Sequence, residues 1–188
     1  MTTPNLFLTS DSHFGHSNII KFCQRPFTSV EDMNESLIER WNAVVRPHDI
    51  VWSLGDFAFM PFEKTLEVLK RLNGNINLVL GNHDQKLQAN RKLLLESGLV
   101  KEMRDYKELS WEKQKMVLFH YAQRAWNGSH YGAWQLFGHT HGTMEPYGKS
   151  VDVGMDSPYV TGKAEYRPFT FEEVRDFMRN REVIKDFD

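Results

Sequence analysis

Short apolar segments alternate with segments of helical periodicity through the first half of the chain. Buried strands are predicted over residues 5–10, 49–54 and 76–80. Between the first two strands, Met33, Leu37 and Trp41 recur at helical spacing, and another helix is predicted to start at Pro61 and to end at residues 73–74. Residues 85–97 are predicted to form a further helix. Strands that alternate with helices in this way are typical of the α/β class.

The second half of the chain is richer in predicted strands. These lie around residues 100–106, 107–111, 116–119, 133–137 and 151–153, and a helix is predicted to close the chain. Two helix starts carry the capping-box pattern, in which Glu follows Thr by three residues. They are Thr28 with Glu31 and Thr170 with Glu173.

Polar residues follow five of the predicted strands at the point where each strand ends. The ligand crevice of an α/β sheet lies outside the carboxyl ends of its strands, so these side chains are expected to share one polar pocket. The clusters are Asp11-x-His13, Gly55-Asp56, Gly81-Asn82-His83-Asp84, His120 and Gly138-His139-x-His141.

Composition narrows the chemistry of that pocket. The chain of 188 residues has eight histidines and one cysteine, Cys23. Any metal would therefore have nitrogen and oxygen ligands, and a single cysteine excludes an internal disulfide framework. The length predicts a single domain over residues 1–188. A net charge of −2 argues against an extensive nucleic-acid interface or binding to an anionic membrane. No targeting or spanning segment is evident, and a cytoplasmic location is expected.

Seven of the imidazole, carboxylate and amide side chains in these clusters are counted as donors, which exceeds what one first-row metal ion takes from a protein. They are Asp11, His13, Asp56, Asn82, His120, His139 and His141. Two divalent ions that share a bridging carboxylate would use all of them. Mn²⁺ is the expected ion, with Fe, Ni and Zn as alternatives that accept the same ligands.

The ordered set D-x-H, G-D, G-N-H-D, H and G-H-x-H resembles the calcineurin-like metallophosphoesterase superfamily. The segments from Ser10 to His16 and from His120 to Ser129 are similar to a compact bacterial and phage-type branch of it. Each short motif alone is more often an ordinary turn or a core histidine, but the five in this order are highly specific.

The resemblance implies a role for each donor. It assigns the first metal to Asp11, His13 and His141, the second to Asn82, His120 and His139, and the bridge to Asp56. It places His83 beside the phosphate as a proton donor or charge stabiliser. Asp84 is then expected to orient His83.

The same resemblance implies a fold and a reaction. The fold is a four-layer α/β/β/α sandwich with two mixed β-sheets, and the reaction is metal-dependent hydrolysis of a phosphate ester. A small phosphodiester, such as a nucleotide or cyclic nucleotide, is expected as the substrate. Phosphomonoesters, a nuclease activity and a non-catalytic metal-binding scaffold are the alternatives. The Asp-Arg pair of the family's Ser/Thr protein phosphatases is missing after Asp56, which disfavours that activity.

Four further residues are candidates for substrate binding. His16 could approach the metals or could cap a helix that starts near Ser17. Arg124, Trp126 and Asn127 lie between two of the motifs. Arg124 could pair with phosphate and Trp126 could stack on a base, or the loop could simply pack on the protein. Phe57, Phe59 and Met60 could form an apolar wall or could cap the core.

Overall fold

Two β-sheets organise the computed structural model, which describes residues 3–185. In the first sheet β1 (Leu6–Thr9), β2 (Ile50–Ser53), β3 (Asn75–Val79) and β4 (Val100–Arg104) run parallel, and β9 (Phe169–Thr170) pairs antiparallel with β1. In the second sheet β5 (Tyr106–Trp111) pairs antiparallel with β6 (Gln114–Phe119). Strands β7 (Trp134–Phe137) and β8 (Ser150–Asp152) continue it in parallel. Both sheets are mixed, as expected.

Six helices accompany the strands in the described part of the chain. They are α1 (Ser17–Phe22), α2 (Val30–Val44), α3 (Phe62–Arg71), α4 (Gln85–Ala89), α5 (Arg91–Glu96) and α6 (Phe171–Arg179). The capping box at Thr170 and Glu173 is confirmed at the start of α6. The one at Thr28 is wrong by a residue, because Ser29 caps α2 by accepting from the Asp32 N–H, while Asp32 binds Thr28 in return.

The helix predicted over residues 85–97 is two short helices. Asn90 separates them with a ψ of 18°, and its side-chain amide donates to the Lys86 carbonyl. Asparagine competes in this way for the helix's own backbone partners, which explains why the apolar periodicity missed the break. Strand β9 was also not predicted, because a two-residue segment carries no period.

Alternate residues of the strands pack into different layers. Phe7, Val51 and Leu78 face the helices α2 and α3, whereas Leu8, Trp52 and Val79 face the second sheet. Side chains that alternate between two apolar layers explain why these strands read as continuous apolar runs. Over the other face of the second sheet, Val117 packs against Trp126 and Ala133 of the long loop that follows His120.

The parallel strands of both sheets end at one edge. A bridge between Ser10 and Gly154 joins the end of β1 to the segment after β8, and the Met155 N–H donates to the Ser10 carbonyl at 3.0 Å. The Gly138 N–H donates to the His120 carbonyl at 3.0 Å. The polar clusters therefore come together on a rigid support, as the order of strands and motifs predicted.

Candidate metal centre

Two neighbouring groups of metal-ligating side chains lie at this edge. In the first, the ligand atoms of Asp11, His13 and His141 all lie within 4.8 Å of one another. In the second, the same is true of Asp56, His120 and His139. The resemblance implied the same division, except that it placed Asn82 in the second group and made Asp56 the bridge. The role of these side chains as metal ligands stays a prediction.

Asp56 lies between the two groups. Its Oδ2 atom is 3.6 Å from His13 Nε2 in the first group and 3.5 Å from His120 Nε2 in the second. Asn82 joins the second group, because its Oδ1 atom is 3.1 Å from the same His120 nitrogen. One carboxylate within reach of both groups is the arrangement that a shared bridging ligand requires.

The buried imidazoles of His120 and His13 each direct their Nε2 atom into the centre. The Leu54 carbonyl, 2.8 Å from His120 Nδ1, can only accept, so Nδ1 carries the proton and Nε2 faces Asp56 and Asn82. His13 Nε2 is buried and has no hydrogen-bond partner among the described residues. An orphaned nitrogen beside carboxylates fits a divalent cation as its missing partner.

The backbone is strained at the same residues. Asp11, His13, Asp56, His139 and His141 all adopt positive φ, between 49° and 66°. This region is unfavourable for residues with a Cβ and is retained mainly where surrounding structure over-determines it. Its concentration at five of the seven predicted ligands indicates a site that holds its side chains in a fixed geometry.

Two glycines let the strand ends approach the ligands. A Cβ atom on Gly138 would overlap Ser10 Oγ and Asp11 Oδ2, and one on Gly81 would overlap the Asp56 carboxylate. The G-N-H and G-H motifs therefore need glycine for contact rather than for flexibility.

Charge in the centre is shared unequally. Burial by itself would raise the pKa of Asp56, but the hydrogen bond and charge of His120 bring it down to about 2. Burial lowers the pKa of His13 to about 3 despite the nearby Asp56 carboxylate. Asp56 is therefore ionised and His13 is neutral at neutral pH, which are the states that metal binding requires.

Asp11 and His141 form a second electrostatic pair. Burial, with a contribution from Asp152, raises the pKa of Asp11 to about 7. Burial would lower the pKa of His141, but its hydrogen bond to Asp156 and the Asp11 charge raise it to about 10. A cation bound here would take over the role that the His141 proton plays beside Asp11.

His83 lies at the rim of the centre. Its backbone N–H donates to Asp56 Oδ1 at 2.9 Å, and its half-buried ring is 5.7 Å from the His13 ring. Its neighbour Asn82 and the exposed His139 complete an open rim above the buried Asp11 and His120. A phosphate ester could therefore reach the centre from solvent.

The role predicted for Asp84 is wrong. Its carboxylate does not serve the His83 ring, because Oδ2 accepts from the backbone N–H groups of Asp56 and Gly81 and Oδ1 accepts from that of Phe57. Asp84 thus fixes the loop that carries Asp56. Burial, together with the Asp56 charge, raises the pKa of Asp84 to about 6 against these hydrogen bonds.

His16 is brought to the site. It also occupies the N-cap position of α1, as the structural alternative predicted, but its side chain makes no capping hydrogen bond. Its Nδ1 atom is 3.3 Å from His13 Nδ1, and its ring is 6.3 Å from that of His83.

The loop after His120 divides the remaining candidates. Trp126 is 8% exposed and its indole N–H donates to the Ala133 carbonyl at 2.8 Å, so the prediction that it stacks on substrate is wrong. Asn127 binds Glu108 of β5 at 2.9 Å, which places its amide on the sheet rather than at the metal groups. The Arg124 guanidinium lies 5.3 Å from the Tyr147 ring and borders a cavity of about 360 Å³ beside Gln123 and Met144.

Sequence reasoning missed Asp156 and Arg25, which support the centre. Asp156 accepts from His141 Nδ1 at 2.7 Å and is held by Arg25, whose guanidinium makes two bonds to it at 2.8 and 2.7 Å. Tyr121, 39% exposed, places its hydroxyl 3.4 Å from Asn82 Oδ1 and its ring 4.8 Å from that of His139. The position of Tyr121 directly after His120 is a usable signal, whereas nothing local marks Asp156 or Arg25.

No helix among residues 3–185 is long and apolar enough to cross a membrane.

A third compact group of possible ligand atoms in the described residues consists of Cys23, His141 and Asp156. Asp156 is already paired with Arg25 there, which makes this group unfavourable for a further cation.

Comparison with known proteins gives a consistent family. The chain is 30% identical over 194 residues to an uncharacterized protein of Methanocaldococcus jannaschii, which covers 98% of this chain and 97% of the relative. It is 32% identical over 90 residues to the gene 66 protein of Mycobacterium phage L5, which covers 46% of this chain and 43% of that protein.

A solved structure shares the fold. The protein of unknown function from Aquifex aeolicus superposes with a TM-score of 0.69 at 20% identity, over 93% of this chain and 99% of that one. The model of the calcineurin-like phosphoesterase superfamily domain matches residues 5–152, which include every predicted metal ligand. The chain therefore belongs to the calcineurin-like phosphoesterase superfamily.

Proposed function

We propose that this protein hydrolyses phosphate esters with two divalent metal ions, one held by Asp11, His13 and His141 and one by Asn82, His120 and His139. Asp56 would bridge them. The observation that carries this proposal is the pair of ligand groups that share Asp56, with His83 at the open rim. Family membership supports the same reaction class.

When bound, two such ions neutralise the charge of a phosphate ester and lower the pKa of water beside it. The chain's own contribution is positioning. Buried Asp11, His13, Asp56 and His120 fix the polar floor, and Asp84 holds the backbone from which Asp56 projects. His83 would donate a proton to the departing oxygen, a role for which an imidazole is suited near neutral pH.

Small phosphodiesters of nucleotides or cyclic nucleotides are the proposed substrates. Two features support a small substrate. The rim is open to solvent, and the net charge of −2 argues against an extensive nucleic-acid interface. Phosphomonoesters rank second. A nuclease ranks lower because it would need an extended surface for the strand.

Mn²⁺ is the proposed native ion, since the mixed set of imidazole, carboxylate and amide oxygen suits it, and Fe, Ni or Zn would fit the same donors. A reducing cytoplasm is the proposed location, supported by the single, half-buried free cysteine, Cys23.

The direct test compares hydrolysis of bis-p-nitrophenyl phosphate and p-nitrophenyl phosphate by the Mn²⁺-loaded protein. We expect turnover of both, with the diester preferred. A strong preference for the monoester would overturn the diester assignment while leaving the reaction class intact.

A non-catalytic scaffold of the same fold is the alternative from a different class. It predicts metal binding without turnover of either ester. The presence of all seven ligand side chains together with His83 favours the enzyme, because a scaffold does not need a proton donor at its rim.

A further inference from the structure

Three rings form a contiguous cluster on the His83 side of the rim, which we call the aromatic wall. Phe59 is 49% exposed and Phe22 is 73% exposed. The His16 ring lies between them, 4.5 Å from the Phe59 centroid at an interplanar angle of 31°, and 6.4 Å from that of Phe22. A single exposed aromatic side chain is ordinary. A cluster of them beside a polar site is typical of a binding surface.

The support beneath this wall is rigid. The Phe59 N–H donates to the Phe14 carbonyl at 2.8 Å, and the Phe14 N–H donates to the Phe57 carbonyl at 3.0 Å. Phe14 and Phe57 are both fully buried, with their rings 5.3 Å apart. The Phe59 backbone is therefore fixed by the core while about half of its side chain stays exposed.

The loop that carries His16 is pressed against this support. Gly15 adopts a φ of +82°, and a Cβ atom there would overlap the side chain of Met60. The Gly15 N–H donates to Asn34 Oδ1 at 2.9 Å, and this hydrogen bond connects the loop to α2. This close packing sets the His16 ring against Phe59.

The wall is next to the group proposed to meet the departing oxygen. The Phe59 and His83 rings are 5.4 Å apart and nearly perpendicular, at 79°. On the other side, the His16 ring is 5.2 Å from the His13 ring. A substituent attached to the oxygen beside His83 would therefore lie within contact distance of the Phe59 side chain.

We propose that Phe59, backed by His16, is a subsite for a planar aromatic group carried by the leaving alcohol of the substrate, either an aryl ring or a nucleobase. This inference rests on the proposed function, because His83 marks the leaving side. Aromatic side chains bind planar groups by stacking, with little dependence on the group's identity. The wall would thus select substrates by the shape of the leaving group.

The test measures binding rather than turnover. Benzylphosphonate and ethylphosphonate carry a methylene in place of the ester oxygen, so neither is hydrolysed. They differ in the group on that methylene, which is a phenyl ring in the first and a methyl group in the second. Calorimetric titration of the Mn²⁺-loaded full chain should give a benzylphosphonate affinity about tenfold higher. Phe59→Ala should abolish most of this difference and change ethylphosphonate affinity by less than about twofold.

Matched variants separate stacking from apolar area and from general effects. Phe59→Trp should retain the tenfold difference, and Phe59→Leu should retain only part of it, as well as serving if Phe59→Ala does not fold. Tyr131→Ala removes another exposed ring, 87% exposed in the loop before β7, and should leave both affinities unchanged.

Each remaining outcome overturns the subsite. Equal affinities of the wild-type protein for the two phosphonates, or an equal loss of both in Phe59→Ala, would refute it while the proposed function stands. Binding of a protein partner at these rings would leave the two phosphonates equivalent. Failure of both phosphonates to bind the wild-type protein would refute the subsite and the proposed function together.

Discussion

His141 donates its Nδ1 proton to Asp156 Oδ2 over 2.7 Å, and its Nε2 atom lies 4.0 Å from the Asp11 carboxylate in the centre. Arg25 donates hydrogen bonds to both carboxylate oxygens of Asp156 and to the backbone carbonyls of Asp11 and Ser12. One buried ion pair thus connects a predicted ligand on the G-H-x-H motif with the loop that carries the D-x-H motif. Carboxylates placed in this way orient metal-binding imidazoles and increase their basicity.

Asp156→Asn should weaken metal binding without removing a ligand. The amide cannot replace the charge that orients His141 and pairs with Arg25, so we expect roughly a 10–100-fold loss of Mn²⁺ affinity. Metal titration followed by calorimetry measures it. Asp176→Asn, at an exposed acidic residue of α6 paired only with Arg179 in the described structure, is the control and should bind metal normally. Normal affinity in Asp156→Asn would refute the positioning role.

Asp56→Asn should release metal from both groups at once. The asparagine retains one oxygen but loses the charge and the second acceptor that lie within 3.6 Å of His13 and His120. Elemental analysis of the purified variant should find less bound metal per chain than in the wild-type protein. A full metal content would contradict the bridging role of Asp56.

His83→Ala should retain metal and lose activity. His83 belongs to neither ligand group, and loss of a general acid typically reduces turnover roughly 10²–10⁴-fold. Steady-state hydrolysis of bis-p-nitrophenyl phosphate and elemental analysis of the same sample test both parts. The half-buried His130, whose ring contacts Tyr131, provides the control variant His130→Ala. Unchanged turnover in His83→Ala would eliminate the proposed proton donor.

Trp126→Ala should destabilise the protein rather than weaken substrate binding. The indole is buried against Val117 and Ala133 and donates a hydrogen bond to the Ala133 carbonyl. Large-to-small substitution of such a residue costs about 3–5 kcal/mol in the free energy of unfolding. Urea denaturation measures this loss. A stable variant with a raised KM would restore the stacking role that the structure denies.

Asp49→Asn should destabilise the protein in a way that depends on pH. Burial would raise the pKa of Asp49, but bonds from Arg46 and from the Asn5 N–H hold it at about 2. Because the folded pKa lies below the unfolded value near 3.9, this stabilisation is present above about pH 4 and is lost as pH falls towards 2.

The variant should therefore be less stable by about 1–3 kcal/mol at pH 7, and the difference should shrink on acidification. Urea unfolding at several pH values, with Asp176→Asn as the matched control, measures it. A difference that grows between pH 4 and pH 2 would contradict the assignment.

That the polar side chains share one pocket could be predicted because they follow strand ends, whereas their division into two groups is what the resemblance to the superfamily implies. His120 comes directly after a short apolar run and His139 comes one glycine after another, and strands that run parallel end at the same edge of a sheet. The strand ends therefore predict that these residues meet at one edge. The break at Asn90 and the true cap at Ser29 could not be read in the same way, because they depend on single side-chain hydrogen bonds.

The sequence by itself determined the α/β class, the strand ends and the donors that they deliver, since apolar periodicity and donor chemistry are local properties. Only the tertiary structure decided what holds those donors. Asp156 and Arg25 are 131 residues apart, and Asp84 binds the backbone of Asp56 from 28 residues away. It also decided that Phe59 is exposed beside His83 while Trp126 is buried. Burial and pairing across such separations result from packing between elements, which no local pattern encodes.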